Sequence, residues 1–495
     1  MAREPRSLST PGVAAAALFD RLPEAQISGD PRQLVTGIET VSQAVRPGAL
    51  FVALHGVHTD GHRYVPEAVA NGARVIVVDA AYPAANLPGV TVASVADTRR
   101  ALSVLSAAFY GDPSLALDVI GITGTNGKTT TSRMVSAILC EGGIPCGVIG
   151  TVGAEFDTRT WQLANTTPLP PELHGLLARM YADGAKAVAM EVSSHALALD
   201  RVDDVHFRIA VLTNVTRDHL DFHETLEAYA AAKRRLFTLS PISVLNVDDT
   251  YGAQWASQLA REGREVTSYG ARDGAMLIPR AIAVQPHGTR FTLDGQSYEL
   301  LLPGRFNVWN ALAAIGVARR LGIDDATSAR GLASLERVPG RMEHLTAAGI
   351  DVVVDYAHTP DALERALESL RETASGALAV VFGCGGDRDK GKRPQMGGVA
   401  ARLADRLYVT SDNPRGEEPG AIADAIVAGI GRREHVVELD RRRAIERAIQ
   451  EARRGDVVLI AGKGHETYQI VREQILPFDD VAVARAALAA RGAQP

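Results

Sequence analysis

Val119-Ile120-Gly121-Ile122-Thr123-Gly124-Thr125-Asn126-Gly127-Lys128-Thr129-Thr130 decides how this chain is read. A short apolar run ends in a glycine-rich turn. Met134, Val135, Ile138 and Leu139 then recur at helical spacing. Strand, glycine loop, Lys-Thr and helix are the parts of a phosphate-binding P-loop. In such a loop backbone N–H groups cradle phosphate oxygens, the lysine reaches the β- and γ-phosphates, and the threonine hydroxyl ligates Mg²⁺. Those roles fall here to Lys128 and Thr129. The spacing departs from the standard eight-residue pattern. A glycine is due at position 122, where Ile122 stands, and Gly121, Gly124 and Gly127 fall three apart instead. Plain turns also end in Lys-Thr; the strand before and the helix after favour a nucleotide site.

A chain of 495 residues has room for roughly two to four domains, each with its own core. A hydrophobic content of 46% with 22% charged residues describes an ordinary globular protein. A net charge of -6 argues against a dedicated nucleic-acid binder, while leaving room for local basic patches that take small anions. The three cysteines, Cys140, Cys146 and Cys384, have no metal-ligand spacing and suit a reducing, cytoplasmic setting. The apolar run Val13 to Phe19 is cut at once by Asp20 and Arg21, so it reads as a helix of the first domain rather than a signal peptide. No run approaches the ~18 apolar residues of a membrane span.

Outward from the P-loop, the pattern is α/β throughout. Before it, strand-like runs at Gly48 to Leu54 and Ala73 to Val78 alternate with helical stretches such as Tyr64 to Asn71. Turn chemistry at Tyr110-Gly111-Asp112-Pro113-Ser114 marks a boundary, giving a first domain of residues 1–112. After the loop, apolar runs at Ala187 to Met190, Ile209 to Leu212 and Ile242 to Leu245 alternate with helical patterns, which implies a parallel sheet. Residues 264–303 read as an antiparallel insertion, Asn307 to Leu321 as a helix, and Val338-Pro339-Gly340 as the second boundary. The second domain is then 113–338 and the third 339–495. In the third, runs at Ile350 to Val354, Leu378 to Phe382, Leu407 to Val409 and Val457 to Ala461 each end in a polar or glycine-rich loop. Such a sheet binds its ligand along one edge.

Three residues beyond the loop carry chemistry. Glu191 closes a strand-like run in Glu191-Val192-Ser193-Ser194-His195, and is either an Mg²⁺ ligand or an exposed loop acid. His219, in Arg217-Asp218-His219-Leu220-Asp221, is either a metal ligand or a polar loop residue. Lys233 lies on the helical stretch Tyr229 to Phe237, where pattern alone favours a solvated lysine.

Taken together with Gly124 to Thr130 and Ala232-Lys233, these motifs resemble the Mur ligases. Asp355-Tyr356-Ala357-His358-Thr359-Pro360, Gly385 to Pro394 and Asp412-Asn413-Pro414-Arg415 narrow the likeness to members that add diaminopimelate. The resemblance runs in order from about Ser42 to Glu466. It implies three domains: a small UDP-binding α/β domain, a central P-loop ATPase domain and a Rossmann-like domain that takes the amino acid. It implies that Thr129 and Glu191 hold one Mg²⁺, that Glu191, His219 and Lys233 surround a second, and that Lys233 is carbamylated by CO₂. Lys128, Lys233, His219 and Glu191 would be the catalytic set. Gly124, Thr125, Asn126, Gly127, Lys128, Thr129, Thr130 and Asn310 would bind ATP, joined from the third domain by Arg341, Asp355 and Lys390 or Lys392. Ser42, with Thr40 nearby and Val57-His58-Thr59 in the following loop, would meet the UDP group. The family usually has Asp-Ser-Arg where this chain has Val41-Ser42-Gln43. Thr166, Thr167, Ser194 and Arg201 would hold the muramoyl-dipeptide. Leu199 stands where some members use Gln. Arg388, Asp412, Asn413, Pro414, Arg415, Gly462 and Glu466 would bind diaminopimelate, with Arg415 on its distal carboxylate.

The activity so implied is an ATP-dependent amide ligation in peptidoglycan precursor biosynthesis. The D-glutamyl carboxylate of UDP-N-acetylmuramoyl-L-alanyl-D-glutamate takes the γ-phosphoryl group, and the amine of diaminopimelate displaces phosphate from the acyl phosphate. The chain is expected to act as a monomer on small molecules. A folylpolyglutamate synthetase-like ligase shares this chemistry but lacks the UDP-binding domain and the Asp-Asn-Pro-Arg loop. A guanine-nucleotide switch would carry Asn-Lys-x-Asp, and the chain has no Asn-Lys pair.

Overall fold

The fold was analysed in a computed structural model that describes residues 12–56, 59–83 and 87–492. Its residues cluster into two compact units. The first comprises residues 1–122, 144–210 and 232–242; the second comprises 123–143, 211–231 and 243–495.

The first unit opens with a five-stranded sheet of β1 (Gln26–Ser28), β2 (Gly37–Glu39), β3 (Ala49–Val52), β4 (Val75–Asp79) and β5 (Thr91–Val95), in the order β1-β5-β4-β3-β2. All neighbours are parallel except β1, which runs antiparallel to β5. Successive strand residues point to opposite faces. Leu50, Val52, Val75 and Val77 therefore pack with Ala101, Leu102 and Leu105 of helix Thr98–Phe109, while Phe51, Ile76 and Val78 pack with Val65 and Ala68 of helix Val65–Ala70. Asp97 caps the longer helix by accepting from the N–H groups of Arg99 and Arg100. The expected helix at Val13 to Phe19 is confined to Ala15–Phe19, because Val13 and Ala14 pair as a short strand with Val35 and Leu34.

The same unit contains β6 (Asp118–Thr123, up to Ile122), β7 (Cys146–Gly150), β8 (Gly153–Phe156), β9 (Arg159–Trp161), β10 (Ala187–Glu191) and the start of β11 (Phe207–Leu212), in the order β9-β8-β7-β10-β6-β11. Strand β10 runs parallel to β6 and β7, and Glu191 pairs in register with Ile122. That register carries Glu191 to the carboxyl end of the sheet, where ligands of such sheets bind.

In the second unit the P-loop leads into helix Lys128–Glu141. Strands β12 (Ile242–Asn246) and β13 (Glu265–Tyr269) follow, then the antiparallel trio β14 (Arg280–Gln285), β15 (Gly288–Leu293) and β16 (Gln296–Leu300), as the 264–303 pattern implied. Helix Phe306–Arg320 comes next. The last sheet holds β17 (Glu343–Ala347), β18 (Ile350–Asp355), β19 (Leu378–Phe382), β20 (Arg406–Val409), β21 (Val436–Val437) and β22 (Val457–Ala461), in the order β17-β18-β22-β19-β20-β21. It is parallel apart from β17. Val353, Val380, Phe382 and Leu459 face helices through Leu363, Met396 and Ile422; Val352, Val354, Val381, Val458 and Ile460 face Ile445, Ala484 and Leu488. Both faces are covered, so the strands read as continuous apolar runs. Four loops leave the carboxyl ends of β18, β19, β20 and β22. Among the described residues no helix is long and apolar enough to cross a membrane.

Candidate active site

The P-loop is held in place by a polar network. Gly127 has φ +89°, and a Cβ there would collide with Asn310 Oδ1. Lys128 Nζ donates to the carbonyls of Gly124 at 2.8 Å and Thr125 at 2.9 Å. The Asn126 N–H donates to Asn214 Oδ1 at 2.9 Å, and the Asn126 side chain donates to Asp361 Oδ2 at 2.8 Å. Thr125 Oγ1 lies 3.1 Å from the Tyr229 hydroxyl and accepts from the N–H of Thr216. Asn310 Nδ2 donates to Asn307 Oδ1, and Thr129 and Thr130 are buried beside the loop on the first helical turn. Arg341 Nη2 donates to the Thr129 hydroxyl at 2.9 Å while its guanidinium lies 4.4 Å over the Tyr356 ring. Asp355 accepts from the N–H of Met342, and burial pushes its carboxyl up despite Arg341 nearby. The expected nucleotide residues Arg341 and Asp355 thus share one network with Thr129. Lys392 is buried, while Lys390 is exposed and 3.4 Å from Glu417.

His219 sits at φ +53° with Nε2 3.3 Å from Asp218 Oδ2. Burial acts to raise the Asp218 carboxyl, but His358, His219 and Lys392 together hold it well below the usual carboxylate range.

In the first unit Glu191 is buried, not an exposed loop acid. Its Oε1 accepts from the N–H of Thr151 at 2.8 Å and its Oε2 from the Thr151 hydroxyl at 2.9 Å. Each carboxylate oxygen keeps acceptor capacity beyond these bonds. Thr166 Oγ1 lies 3.2 Å from Thr151 Oγ1. Thr167 Oγ1 donates to the Glu191 carbonyl and accepts from the Ser193 N–H, and Arg201 Nη1 donates to the Thr167 carbonyl. The Ser194 side chain is buried on the adjoining short helix. Thr166, Thr167, Ser194 and Arg201 therefore gather around the Glu191 strand end. Lys233 is 1% exposed, against the solvated position that helix pattern alone favours. A buried helix lysine and a buried carboxylate fit the expected metal chemistry, since a lysine carbamate and a glutamate are hard oxygen donors. Ser42 is buried, and its hydroxyl donates to Glu67 Oε2 at 2.7 Å. Val57 and His58 lie outside the described residues; Thr59 is exposed.

The loops expected to take the amino acid converge in the second unit. Asn413 Nδ2 donates to Glu466 Oε2 at 2.9 Å. Arg415, at φ +49°, takes the Ile470 carbonyl through its N–H, and its Nη1 donates to the Gly386 carbonyl at 2.9 Å. Pro414 is buried between them. Gly462 lies against Asp412, 2.7 Å from its Oδ2 by the position a Cβ would take. Arg388 donates to the carbonyl of Asp387. Burial acts to raise Asp412, yet Lys463 and Arg441 bring it below its ordinary value; burial, then Asp412 itself, pushes Glu466 up. Sequence reading missed Lys463, Thr151, Asp361 and the buried pair of Arg441 with Asp480 at 2.7 Å. The Gly-Lys-Gly at 462–464, closing a strand, was the available signal for Lys463.

Three family models match: "Mur ligase family, catalytic domain" over 34–110, "Mur ligase middle domain" over 122–318 and "Mur ligase, glutamate ligase domain" over 340–464. The UDP-N-acetylmuramoyl-L-alanyl-D-glutamate–2,6-diaminopimelate ligase of Chlorobaculum tepidum is 46% identical over 482 residues, covering 94% of each chain. A solved structure of a ligase of the same name is 34% identical, with a TM-score of 0.68 over 97% of this chain and 99% of that one. Mycobacterium tuberculosis folylpolyglutamate synthase, at 20% identity and a TM-score of 0.61, shares the fold over only 74% of this chain and 92% of its own. With three models tiling most of its length and a relative this similar along nearly all of it, the chain belongs to the Mur ligase family.

Proposed function

We propose that this chain is the ATP-dependent ligase that joins diaminopimelate to the D-glutamyl carboxyl group of UDP-N-acetylmuramoyl-L-alanyl-D-glutamate. One observation carries the reading. An Arg-bearing loop, Asp412 to Arg415, is buttressed by the Gly462–Glu466 loop in the same chain as a P-loop whose Thr129 is bonded to Arg341. The domains are taken as 1–112 for the UDP group, 113–338 for ATP and 339–495 for the amino acid, in a cytoplasmic monomer.

The P-loop N–H groups and Lys128 bind and orient the ATP phosphates, with Asn310, Arg341 and Asp355 completing the nucleotide site. Thr166, Thr167, Ser194 and Arg201 hold the dipeptide so that its carboxylate attacks the γ-phosphorus in line; the bond from that phosphorus to the β-phosphate oxygen breaks and ADP leaves. Thr129, Glu191, His219 and Lys233 as its carbamate are the residues that would hold Mg²⁺. When bound, the ion supplies positive charge against the transferring phosphoryl oxygens. The acyl phosphate so formed has an activated carboxyl carbon. The free amine of diaminopimelate, held by Arg415, Arg388, Asp412, Asn413 and Glu466, attacks that carbon; the C–O bond to phosphate breaks, a proton leaves the nitrogen and the amide remains.

The test is phosphate release from ATP with either the UDP-dipeptide or a folate as the carboxyl substrate, each against a panel of acceptors: diaminopimelate, lysine, glutamate, and no acceptor. Release that depends on diaminopimelate is expected. Release with a folate and glutamate, and none with the UDP-dipeptide, would move the assignment to the folylpolyglutamate class.

A further inference from the structure

Lys463 is fully buried. It follows β22 directly, flanked by Gly462 and Gly464. Gly462, at φ +121°, lets the backbone pass so close to Asp412 that a side chain has no room. The Lys463 Nζ donates to Asn413 Oδ1 at 2.8 Å and to the Tyr468 carbonyl at 2.7 Å. It lies 3.5 Å from Asp412 Oδ1 and 3.5 Å from Glu466 Oε2. Asn413 passes the arrangement on: its amide N–H donates to Glu466, and its Oδ1 accepts also from the Ile470 N–H.

The cost of burying an ammonium is several kcal/mol unless it is paired and fully hydrogen-bonded. Packing alone would be served as well by an apolar side chain here, so a lysine points to charge. Asp412 and Glu466 are two carboxylates facing one small space. Left together they would repel and one would protonate. With Lys463 between them the trio carries one net negative charge. We propose that Lys463 is a positioning residue of the amino-acid pocket: its ammonium locks Asn413, Asp412 and Glu466 into one geometry and leaves one negative charge, so the pocket accepts a single distal ammonium group from the acceptor. The inference rests on the reading of this pocket as the site of the diamino acid. Arg415, held by the carbonyls of Gly386 and Asn413, then takes the distal carboxylate of the same acceptor, and Asn413 couples the two charge sites.

Two substitutions separate charge from shape. Lys463→Met removes charge and hydrogen bonds; Lys463→Gln keeps donors for Asn413 and Tyr468 but removes the charge. Both are expected to raise KM for diaminopimelate ~10-fold or more, with KM for ATP and for the UDP-dipeptide within about 2-fold of wild type. The acidic limb of the diaminopimelate KM is also expected to move to higher pH, since Asp412 and Glu466 lose a cation. Arg441, His358 and Lys392 remain beside them, and Tyr356 and Tyr468 are also close to both carboxylates. A residue needed only for the fold would lower Tm and leave the KM split and the pH limb unmoved. Wild-type diaminopimelate kinetics in the folded Lys463→Gln protein would overturn the inference alone. A wild-type enzyme that does not use diaminopimelate would overturn the functional reading and the inference with it. Should neither variant fold, a crystal structure of the wild-type protein with diaminopimelate decides: Nζ between Asp412 and Glu466, with the substrate ammonium on either carboxylate, supports it, and a lysine swung out of the trio overturns it.

Discussion

Lys233 shows how much a single side chain can depart from its pattern. A lysine on a helix is normally solvated, yet this one is 1% exposed. Carbamylation converts its amine and CO₂ into an anion with loss of a proton, an oxygen donor of the kind the proposed Mg²⁺ site needs. Lys233→Ala is expected to remove most activity while far-UV circular dichroism stays unchanged, with partial rescue by a small carboxylic acid. Mass spectrometry and electron density of active enzyme, prepared to preserve CO₂, should find the adduct; an unmodified lysine in fully active enzyme would refute it. Arg415→Ala is expected to lower kcat/KM for diaminopimelate by ~30-fold to several thousand-fold, because truncating one member of a buried charge pair costs roughly 2–5 kcal/mol. KM for ATP should barely change. His174, on helix Pro170–Ala182, makes a different prediction. It is fully buried, neither ring nitrogen has a hydrogen-bond partner among the described residues, and burial, helped by His206, drives it down to about 3. Folded His174 stays neutral while the unfolded chain takes up a proton below about 6.5. Its contribution to stability is therefore intact above pH 6.5 and lost progressively as the pH falls toward 3, by about 2 kcal/mol at pH 5. Urea unfolding of wild type and His174→Leu from pH 7.5 to 5 measures it; a substitution that leaves the pH slope unchanged would remove His174 as its source.

At the scale of elements, the P-loop turn is under a tight steric demand. Gly127 combines φ +89° with a Cβ position occupied by Asn310 Oδ1. Gly127→Ala must displace either the loop or Asn310, and a misplacement of about 1 Å can cost ~100-fold in rate. The variant is expected to lose at least that in ATP-dependent phosphate release while retaining its thermal transition; normal turnover would show that the turn has slack. This turn was legible because the Gly-Lys-Thr, the flanking strand and the following helix agree, although Ile122 stands where the standard spacing has glycine. The third sheet was legible for a similar reason, its strands being buried on both faces and thus continuous apolar runs such as Val457 to Ala461. What escaped reading depends on partners distant in sequence. Val13 and Ala14 become a strand only because Leu34 and Val35 are there to pair with. Arg441 opens the run Arg441-Arg442-Arg443, which reads as solvated, but Asp480, far along the chain, takes its guanidinium into the core. Lys463 was hidden likewise, because Asn413 and Asp412, which its ammonium meets, lie about fifty residues earlier in the chain. Local pattern reports which face of an element is apolar; it does not report which charged residue has a buried counterpart.

At the scale of the molecule, specific side-chain pairs tie the segments after residue 339 to the P-loop. Within the second unit, Arg217 forms a fork with Asp389, Nε to Oδ2 at 3.0 Å and Nη2 to Oδ1 at 3.2 Å. Asp389 is nearly buried, and its Oδ1 also accepts from the Gly391 N–H, which stiffens the loop after β19. Arg217 belongs to the segment that contains Asp218 and His219, and Asp218 in turn lies 3.7 Å from His358 Nε2. The fork therefore joins residues after 339 to the segment whose Thr216 supports the P-loop through Thr125. A two-point arginine–carboxylate pair fixes orientation as well as distance. If that orientation aims Arg341 and Asp361 at the P-loop, loss of the fork should lower kcat, with KM for diaminopimelate affected less. Asp389→Ala and Arg217→Ala are each expected to reduce kcat by ~10-fold, and the double variant by little more, since contacting residues couple by about 0.5–3 kcal/mol. The charge-swapped protein, Arg217→Asp with Asp389→Arg, should recover part of the loss. A full double-mutant cycle on kcat measures this directly: single effects that add without coupling, or a swap no better than either single variant, would show that the fork merely decorates a contact held by other residues.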